Sequence, residues 1–215
     1  FGPTFRHDRP QAGRYRQFSQ VDFEIMGGQN DPIHDAQIMI LFDRLLKTLK
    51  ITNTTLKVNS IGCRICRPFY KKQLQNYYKR YEKELCADCG RRFTTNILRL
   101  LDCKHEDCEP LKSKVPNFLD KICVACSNHF KSVLEYLDEL KISYGLDNQL
   151  VRGLDYYSRT VFEFLVEGTG SEVGSVAGGG RYDYLFEMLG ARPTPAVGAA
   201  AGVERLIAVM KAQSV

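Results

Sequence analysis

Apolar and polar positions alternate most cleanly near the start of the chain. In RYRQFSQVDFEIMG, Val21, Phe23 and Ile25 alternate with Gln20, Asp22 and Glu24. A period of two places one set on each face of a strand. FGPTFRHD before it is also extended, and RPQAG between them supplies Pro and Gly for a loop, so the two segments predict an antiparallel hairpin. The period then changes. In HDAQIMILFDRLLKTL, Ile38, Leu41, Leu45 and Leu46 recur at helical spacing behind Asp31-Pro32, which predicts an amphipathic helix.

From 61 to 143 the texture is different. YKKQLQNYYKRYEKEL reads as a helix with an exposed basic side and NHFKSVLEYLDELKI as another, so this stretch is expected to be a mainly helical insertion. Strand character returns after 143. LVRGLDYYSRTVFEFLVEG reads as a turn and a strand. SVAGGGRYDYLFEMLG reads as a glycine loop leading into a helix. PAVGAAAGVERLIAVMKAQ reads as an extended segment, a small-residue crossing and a closing helix. The expected organisation is a core in two parts, 1–60 and 144–215, interrupted by 61–143.

Composition narrows the classes. The 215 residues are 44% hydrophobic and 26% charged, which excludes wholesale disorder. No run of about 18 apolar residues exists, so no membrane-spanning helix is expected. The first residues, polar, charged and Pro-containing, are not expected to act as a signal peptide. Residue 1 is not Met and already lies in a strand-like segment, so the chain is expected to be part of a longer protein. A net charge of +5 permits a nucleic-acid partner without demanding one.

Eight cysteines, Cys63, Cys66, Cys86, Cys89, Cys103, Cys108, Cys123 and Cys126, lie in one 64-residue stretch. Without a secretory signal, a disulfide framework is not expected. Cys63-x2-Cys66-x19-Cys86-x2-Cys89 has zinc-ribbon-like spacing, and Cys103-x4-Cys108-x14-Cys123-x2-Cys126 is close to it. Two structural Zn²⁺ sites fit this count, with consecutive or interleaved pairing, and His105 and His129 are spare ligands. Buried thiols packing as small hydrophobes are the alternative.

The remaining candidates are cationic and aromatic. Arg6, Arg9, Arg14 and Arg16 crowd the hairpin, where guanidinium groups suit phosphates. The polar row Gln20, Asp22 and Glu24 is either a wet face or a platform for a ligand bearing N–H groups. Arg152 precedes Tyr156 and Tyr157, whose hydroxyls can bond a ring nitrogen. Gly178, Gly179 and Gly180 allow a close backbone approach, but they match neither the Walker A nor the spaced dinucleotide pattern. Arg205 stands one turn into the last helix.

Taken in order, these segments carry a family likeness. FGPTFRHDRPQAGRYRQFSQVDFE resembles motif 2 of class II aminoacyl-tRNA synthetases in its histidyl form. LVRGLDYYSRTVFEF and AGGGRYDYLFEMLG resemble the two histidine-specific signatures, and PAVGAAAGVERL resembles motif 3. The resemblance implies an α+β fold, the class II antiparallel sheet flanked by helices. It implies ATP-dependent activation of histidine, ATP acting with Mg²⁺, and transfer to tRNA(His) in protein biosynthesis. By position it gives Arg6 the ATP α-phosphate, Phe18 the adenine ring, Arg14 the phosphates and acceptor end, and Arg205 the γ-phosphate. Arg152 lies beside the α-phosphate and the histidine carboxylate. Gln20 lies at the amino-acid head, and Glu24, Tyr156, Tyr157 and Tyr182 form the imidazole pocket. Arg6, Arg152 and Arg205 are thus the expected catalytic groups.

The resemblance also implies a cytoplasmic homodimer as the full-length parent, and an insertion near the tRNA acceptor stem. The sequence lacks the family's motif 1, its upstream Glu-containing loop and its anticodon-binding domain, and Asp8 stands where Glu is usual. The family's non-catalytic paralogues, which regulate ATP phosphoribosyltransferase in histidine synthesis, are the alternative. They usually read Tyr-Tyr-Thr-Gly after the signature and lack the insertion, whereas Ser158-Arg159-Thr160-Val161 follows here. A zinc module that binds nucleic acid without catalysis would leave the arginines unexplained.

Overall fold

The structure is a computed structural model of the chain, and it describes residues 1–7, 15–153, 156–167 and 174–215. Among these, seven strands form one sheet in the order β1-β2-β7-β6-β5-β3-β4. The strands are β1 Gly2–Phe5, β2 Gln17–Met26, β3 Thr54–Ser60, β4 Tyr144–Leu146, β5 Ser158–Val166, β6 Ser175–Arg181 and β7 Ala196–Gly202. All neighbouring pairs are antiparallel except β3 with β4. The expected hairpin is present: Thr4 stands opposite Phe18 and Gly2 opposite Gln20.

The apolar set of β2 faces the larger core. Val21, Phe23 and Ile25 pack there with Ala199, Ala201, Phe162 and Phe164. Helix α1, Ile33–Thr48, covers that face, and the Asp31 carboxylate accepts from the Ile33 N–H at 2.9 Å at its start. Its buried stripe is centred on Ile38, Met39, Phe42 and Leu46, with Leu41 and Leu45 only half-buried. Helices α5, Val124–Glu139, and α7, Val203–Ala212, share this core through Phe130, Val133 and Leu137 and through Leu206 and Val209.

Between β3 and α5 the chain is helical in short pieces. These are α2 Cys66–Tyr78, α3 Ala87–Thr95 and α4 Glu109–Lys112, with 3₁₀ turns between them. The single helix expected over 70–85 breaks at Lys79 into a 3₁₀ turn kinked at Tyr81. Lys72, Lys79 and Arg80 are exposed, as the basic face required. Tyr70, Leu74 and Tyr78 enter a second core, which joins this region to Tyr157, Val161 and Tyr182 on the other side of the sheet.

Two readings need correction. Residues 175–180, expected to form a glycine loop, belong to the central strand β6. Gly178, Gly179 and Gly180 are not among the positive-φ residues, so they serve by lacking side chains, not by turning the chain. Strands β3 and β4 were not foreseen: Leu56 and Val58 are buried, but Thr54, Thr55, Lys57 and Asn59 around them dilute the signal. No helix among the described residues is long and apolar enough to cross a membrane.

Candidate functional site

The sheet face opposite α1 is floored with glycine and alanine. Register makes this explicit. Glu24 stands opposite Gly198, Gly198 opposite Gly180 and Gly180 opposite Val161. One row along, Asp22, Ala200, Gly178 and Glu163 are aligned in the same way. Gln20 pairs with Gly202 in the next row. Directly paired residues project to the same side, so a shallow trough runs across β7 and β6 with polar walls on β2 and β5.

One end of the trough is a carboxylate among tyrosines. The Glu24 side chain lies over Gly198 so closely that a Cβ there would fall 1.4 Å from Oε2. Tyr182 donates its hydroxyl hydrogen bond to that same Oε2. The Tyr156 ring lies 4.8 Å from that of Tyr157 and 5.7 Å from that of Tyr182, centroid to centroid. Burial raises the Glu24 pKa above the usual carboxylate range; the Tyr182 hydrogen bond opposes this and the charge of Asp22 adds to it. Burial likewise raises the Tyr156 and Tyr182 phenols, which stay protonated donors.

Arg152 occupies the middle. It pairs with Glu163, and its guanidinium lies 5.9 Å from the Tyr157 ring centroid. A Cβ at Gly178 would come within 2.7 Å of Arg152 Nη1, so glycine is what lets the arginine lie across the floor. Burial raises the Glu163 pKa against the pull of Arg152. Glu163 was missed in the sequence. Its signal is a lone carboxylate between Phe162 and Phe164 in an apolar strand.

The far end belongs to the hairpin and α7. The Arg6 guanidinium lies 4.5 Å over the Phe18 ring. Thr4 Oγ1 donates to Gln20 Oε1 at 3.1 Å. Arg205 rises beside Gly202 and donates from Nη1 to the Ser175 carbonyl at 2.6 Å, while Glu204 anchors α7 by accepting from Ser19 N–H at 2.8 Å. Phe18, Gln20, Asp22 and Glu24 share one parity on β2. Six residues of strand put the two ends about 20 Å apart. Arg14 and Asp8 lie outside the described residues.

The back of β6 carries a second arginine. Arg181, 1% exposed, donates from Nε to Asp35 Oδ2 at 2.9 Å, from Nη1 to Asp183 Oδ1 at 3.1 Å and to Asn30 Oδ1 at 2.9 Å. His129 Nε2 lies 3.4 Å from Asp35, and His129 Nδ1 lies 3.2 Å from Arg159 Nη1. Although burial opposes it, hydrogen bonding from His129 and the charge and hydrogen bonds of Arg181 hold the Asp35 pKa below its ordinary value.

The cysteines form two groups. Cys63, Cys66, Cys123 and Cys126 bring their sulfurs within 4.8 Å of one another, and so do Cys86, Cys89, Cys103 and Cys108. The pairing is nested: the outermost CxxC pairs meet, and the inner pairs meet. The consecutive ribbon spacing does not describe it. Sulfur separations are 3.6 Å for Cys63–Cys66, 4.0 Å for Cys63–Cys123, 3.8 Å for Cys66–Cys126 and 3.8 Å for Cys86–Cys103. These are far beyond a disulfide, and they match the edge of about 3.8 Å that a tetrahedron of Zn–S bonds near 2.3 Å requires. Backbone N–H groups already point at the sulfurs, Cys123 N to Cys66 Sγ at 3.0 Å and Ile65 N to Cys63 Sγ at 3.4 Å. Burial pushes Cys63 and Cys86 up, but such donors and the neighbouring thiols outweigh it and bring each down to about 7. His105 and His129, counted as spare ligands, belong to neither group. His105 faces Asp107 and His129 faces Asp35.

The seven-stranded sheet, antiparallel except for β3 with β4, with its helices behind and this trough in front, is the catalytic fold of a class II synthetase. Over the whole chain it superposes on apo histidyl-tRNA synthetase from S. aureus with a TM-score of 0.77 at 29% identity, covering 50% of that chain. A Bacillus halodurans structure, titled an ATP phosphoribosyltransferase regulatory subunit/histidyl-tRNA synthetase, shares the fold at a TM-score of 0.64 and 19% identity over 97% of this chain and 56% of that one. The family model "Histidyl-tRNA synthetase" matches residues 1–206, and the chain belongs to that family. Histidine–tRNA ligases from Thermotoga maritima and Desulforamulus reducens are 48% and 44% identical over 214 residues, all of this chain. The chain spans about half the length of these curated relatives, 50% and 51% respectively.

Proposed function

We propose that this chain is the catalytic core of an ATP-dependent histidine–tRNA ligase. The observation that carries the reading is the single sheet face with Glu24 and three tyrosines at one end, Arg152 in the middle, and Arg6, Phe18 and Arg205 at the other. An amino acid joined to a nucleotide is about as long as this trough. Phe18 offers a face for adenine while Arg6, Arg14 and Arg205 hold the phosphates, with Mg²⁺ accompanying ATP. Gln20 takes the amino-acid head. Glu24 accepts from one imidazole nitrogen, and a tyrosine hydroxyl donates to the other.

The chemistry needs little proton transfer. The histidine carboxylate is ionised at neutral pH and attacks the α-phosphorus. A bond forms from its oxygen, the bond to the bridging oxygen breaks, and pyrophosphate departs with the electron pair. Charge grows on the phosphoryl oxygens, where the guanidinium groups of Arg6, moving off Phe18, and Arg152, exchanging Glu163 for the ligand, would stabilise it. Discrimination comes from the other end: a ligand without paired ring nitrogens leaves Glu24 and the phenols unpartnered, which can be worth about 10⁴-fold. The adenylate then passes its histidyl group to the 3′ end of tRNA(His). Residues 61–143 would form an insertion near the acceptor stem, and the working protein would be a cytoplasmic homodimer. The insertion and the Ser158-Arg159-Thr160 sequence favour the ligase over the regulatory paralogue.

The cysteine groups are read as two structural Zn²⁺ sites, one per tetrad, because four thiolates at tetrahedral spacing suit that ion. Elemental analysis of the purified protein should find about two equivalents, and less than about half an equivalent ends the reading. For the enzyme, the test is ATP–pyrophosphate exchange by the protein expressed from its whole gene. It should depend on histidine and fall by about 10²–10³-fold in Arg152→Ala. Equal exchange with another amino acid would defeat the pocket assignment.

A further inference from the structure

The carbonyls of Gly153, next to Arg152, and of Tyr157, next to Tyr156, are each held by an arginine of the cysteine-rich region. Arg99 donates from Nη1 to the Gly153 carbonyl at 3.0 Å, and Arg67 donates from Nη2 to the Tyr157 carbonyl. Arg99 belongs to a 3₁₀ turn, Ile97–Leu100. Arg67 belongs to the first turn of α2, directly after Cys66. The sulfur of Cys66 is a corner of the first tetrad.

That tetrad stands where β3 leaves the sheet. Ile61 N–H donates to the Arg159 carbonyl at 2.7 Å, and Arg159 N–H donates to the Gly62 carbonyl at 2.9 Å, so the end of β3 and the start of β5, just after Tyr157, are already tied. Gly62 then takes a left-handed φ of 60°, and a Cβ there would meet Cys66 Cβ and the Phe118 ring at 2.9 Å. The chain therefore passes through one tight corner. Cys63 and Cys66 follow that corner, and Cys123 and Cys126 arrive from the start of α5. An ion binding all four sulfurs would fix the first turn of α2 against the sheet, and with it the angle at which Arg67 reaches Tyr157.

We propose that the Cys63–Cys66–Cys123–Cys126 tetrad is a metal site that positions the amino-acid pocket. Its occupancy sets Arg67, and Arg67 sets the backbone from which Tyr156 and Tyr157 face Glu24. Arg67 is a positioning residue: it acts through the Tyr157 backbone carbonyl. The inference rests on the ligase function and on the metal reading of the tetrads, and it adds a coupling between them. Support of this kind around an ion or a site is commonly worth about 10- to 100-fold when removed.

The test uses the protein expressed from its whole gene and reads zinc content beside the KM values of exchange. Cys126→Ser should lose one of about two zinc equivalents. Its KM for histidine should rise by about ten-fold or more, with the KM for ATP moving less than about two-fold. Arg67→Ala should keep both ions and reproduce the rise for histidine, and Arg67→Lys should recover part of it. If Arg67→Ala leaves the histidine KM unchanged, or if Cys126→Ser loses its zinc without moving that KM, the coupling is wrong and the metal sites stand. Wild-type protein without zinc would instead defeat the metal reading. In that event an Arg67→Ala effect would show that the arginine clamp exists but owes nothing to an ion. Should Cys126→Ser fail to fold, the two Arg67 variants still decide whether the clamp governs histidine recognition.

Discussion

Two arginine–carboxylate systems lie on opposite sides of the same sheet, and they are built differently. Behind β6, Arg181 and Asp35 have side chains 1% and 0% exposed, and Arg181 is further satisfied by Asn30, Asp183 and the Asp31 carbonyl. In front, Arg152 and Glu163 each retain 23% exposure, and Arg152 lies over glycine where a ligand has room. A buried, fully bonded guanidinium is committed to the fold, because losing one partner leaves an uncompensated charge in a dry site. A half-open pair contributes little to stability and is free to exchange its partner for a ligand. The same two side-chain types thus serve structure on one face and chemistry on the other, and solvent access makes the difference.

The comparison can be broken at either pair. Arg181→Met should lower stability by about 3–5 kcal/mol in urea unfolding. A loss under about 1 kcal/mol would mean that the buried system is not structural. Arg152→Ala should change stability by less than about 1 kcal/mol, yet reduce histidine-dependent exchange by about 10²–10³-fold. Comparable losses of stability in the two variants would erase the distinction drawn here. Glu24→Gln sharpens the front side further. It removes a charged acceptor worth about 1.5–3 kcal/mol, so the KM for histidine should rise by about ten- to a hundred-fold while that for ATP stays put.

The smallest effect concerns acid. The folded pKa of Asp35 is below that of the unfolded chain, so below pH 3.8, the ordinary Asp value, the unfolded state binds the proton first. The stabilisation from Asp35 is complete above that pH and is lost as pH falls toward the folded value. Urea midpoints followed from pH 6 downward should show that loss in the native protein and a flatter profile in Asp35→Asn. Parallel profiles would rule out Asp35 as the titrating group.

The front face was largely legible before the fold was known. Period-two alternation placed Gln20, Asp22 and Glu24 together, and a family resemblance supplied Arg152, Arg205 and the tyrosines. The back face was not legible. Nothing local separates Arg181, buried, from the exposed Arg192 eleven residues later, because burial depends on what packs from elsewhere. Asp35 sits in the first turn of α1, where an acidic residue is ordinary and needs no buried partner. The glycines were read correctly as allowing a close approach but were placed in a loop, because only neighbouring strands on both sides make Gly178–Gly180 a flat strand.

By itself the sequence determined the two faces of β2, the family, and the fact that cysteines come in pairs three or five apart. These are local properties, written in periodicity and spacing. Only the tertiary structure decided which cysteine pairs meet, which arginine is buried and which side chains lie across the glycine floor. Each of those depends on contacts between segments distant along the chain, set by strand order and register, which no short stretch of sequence encodes.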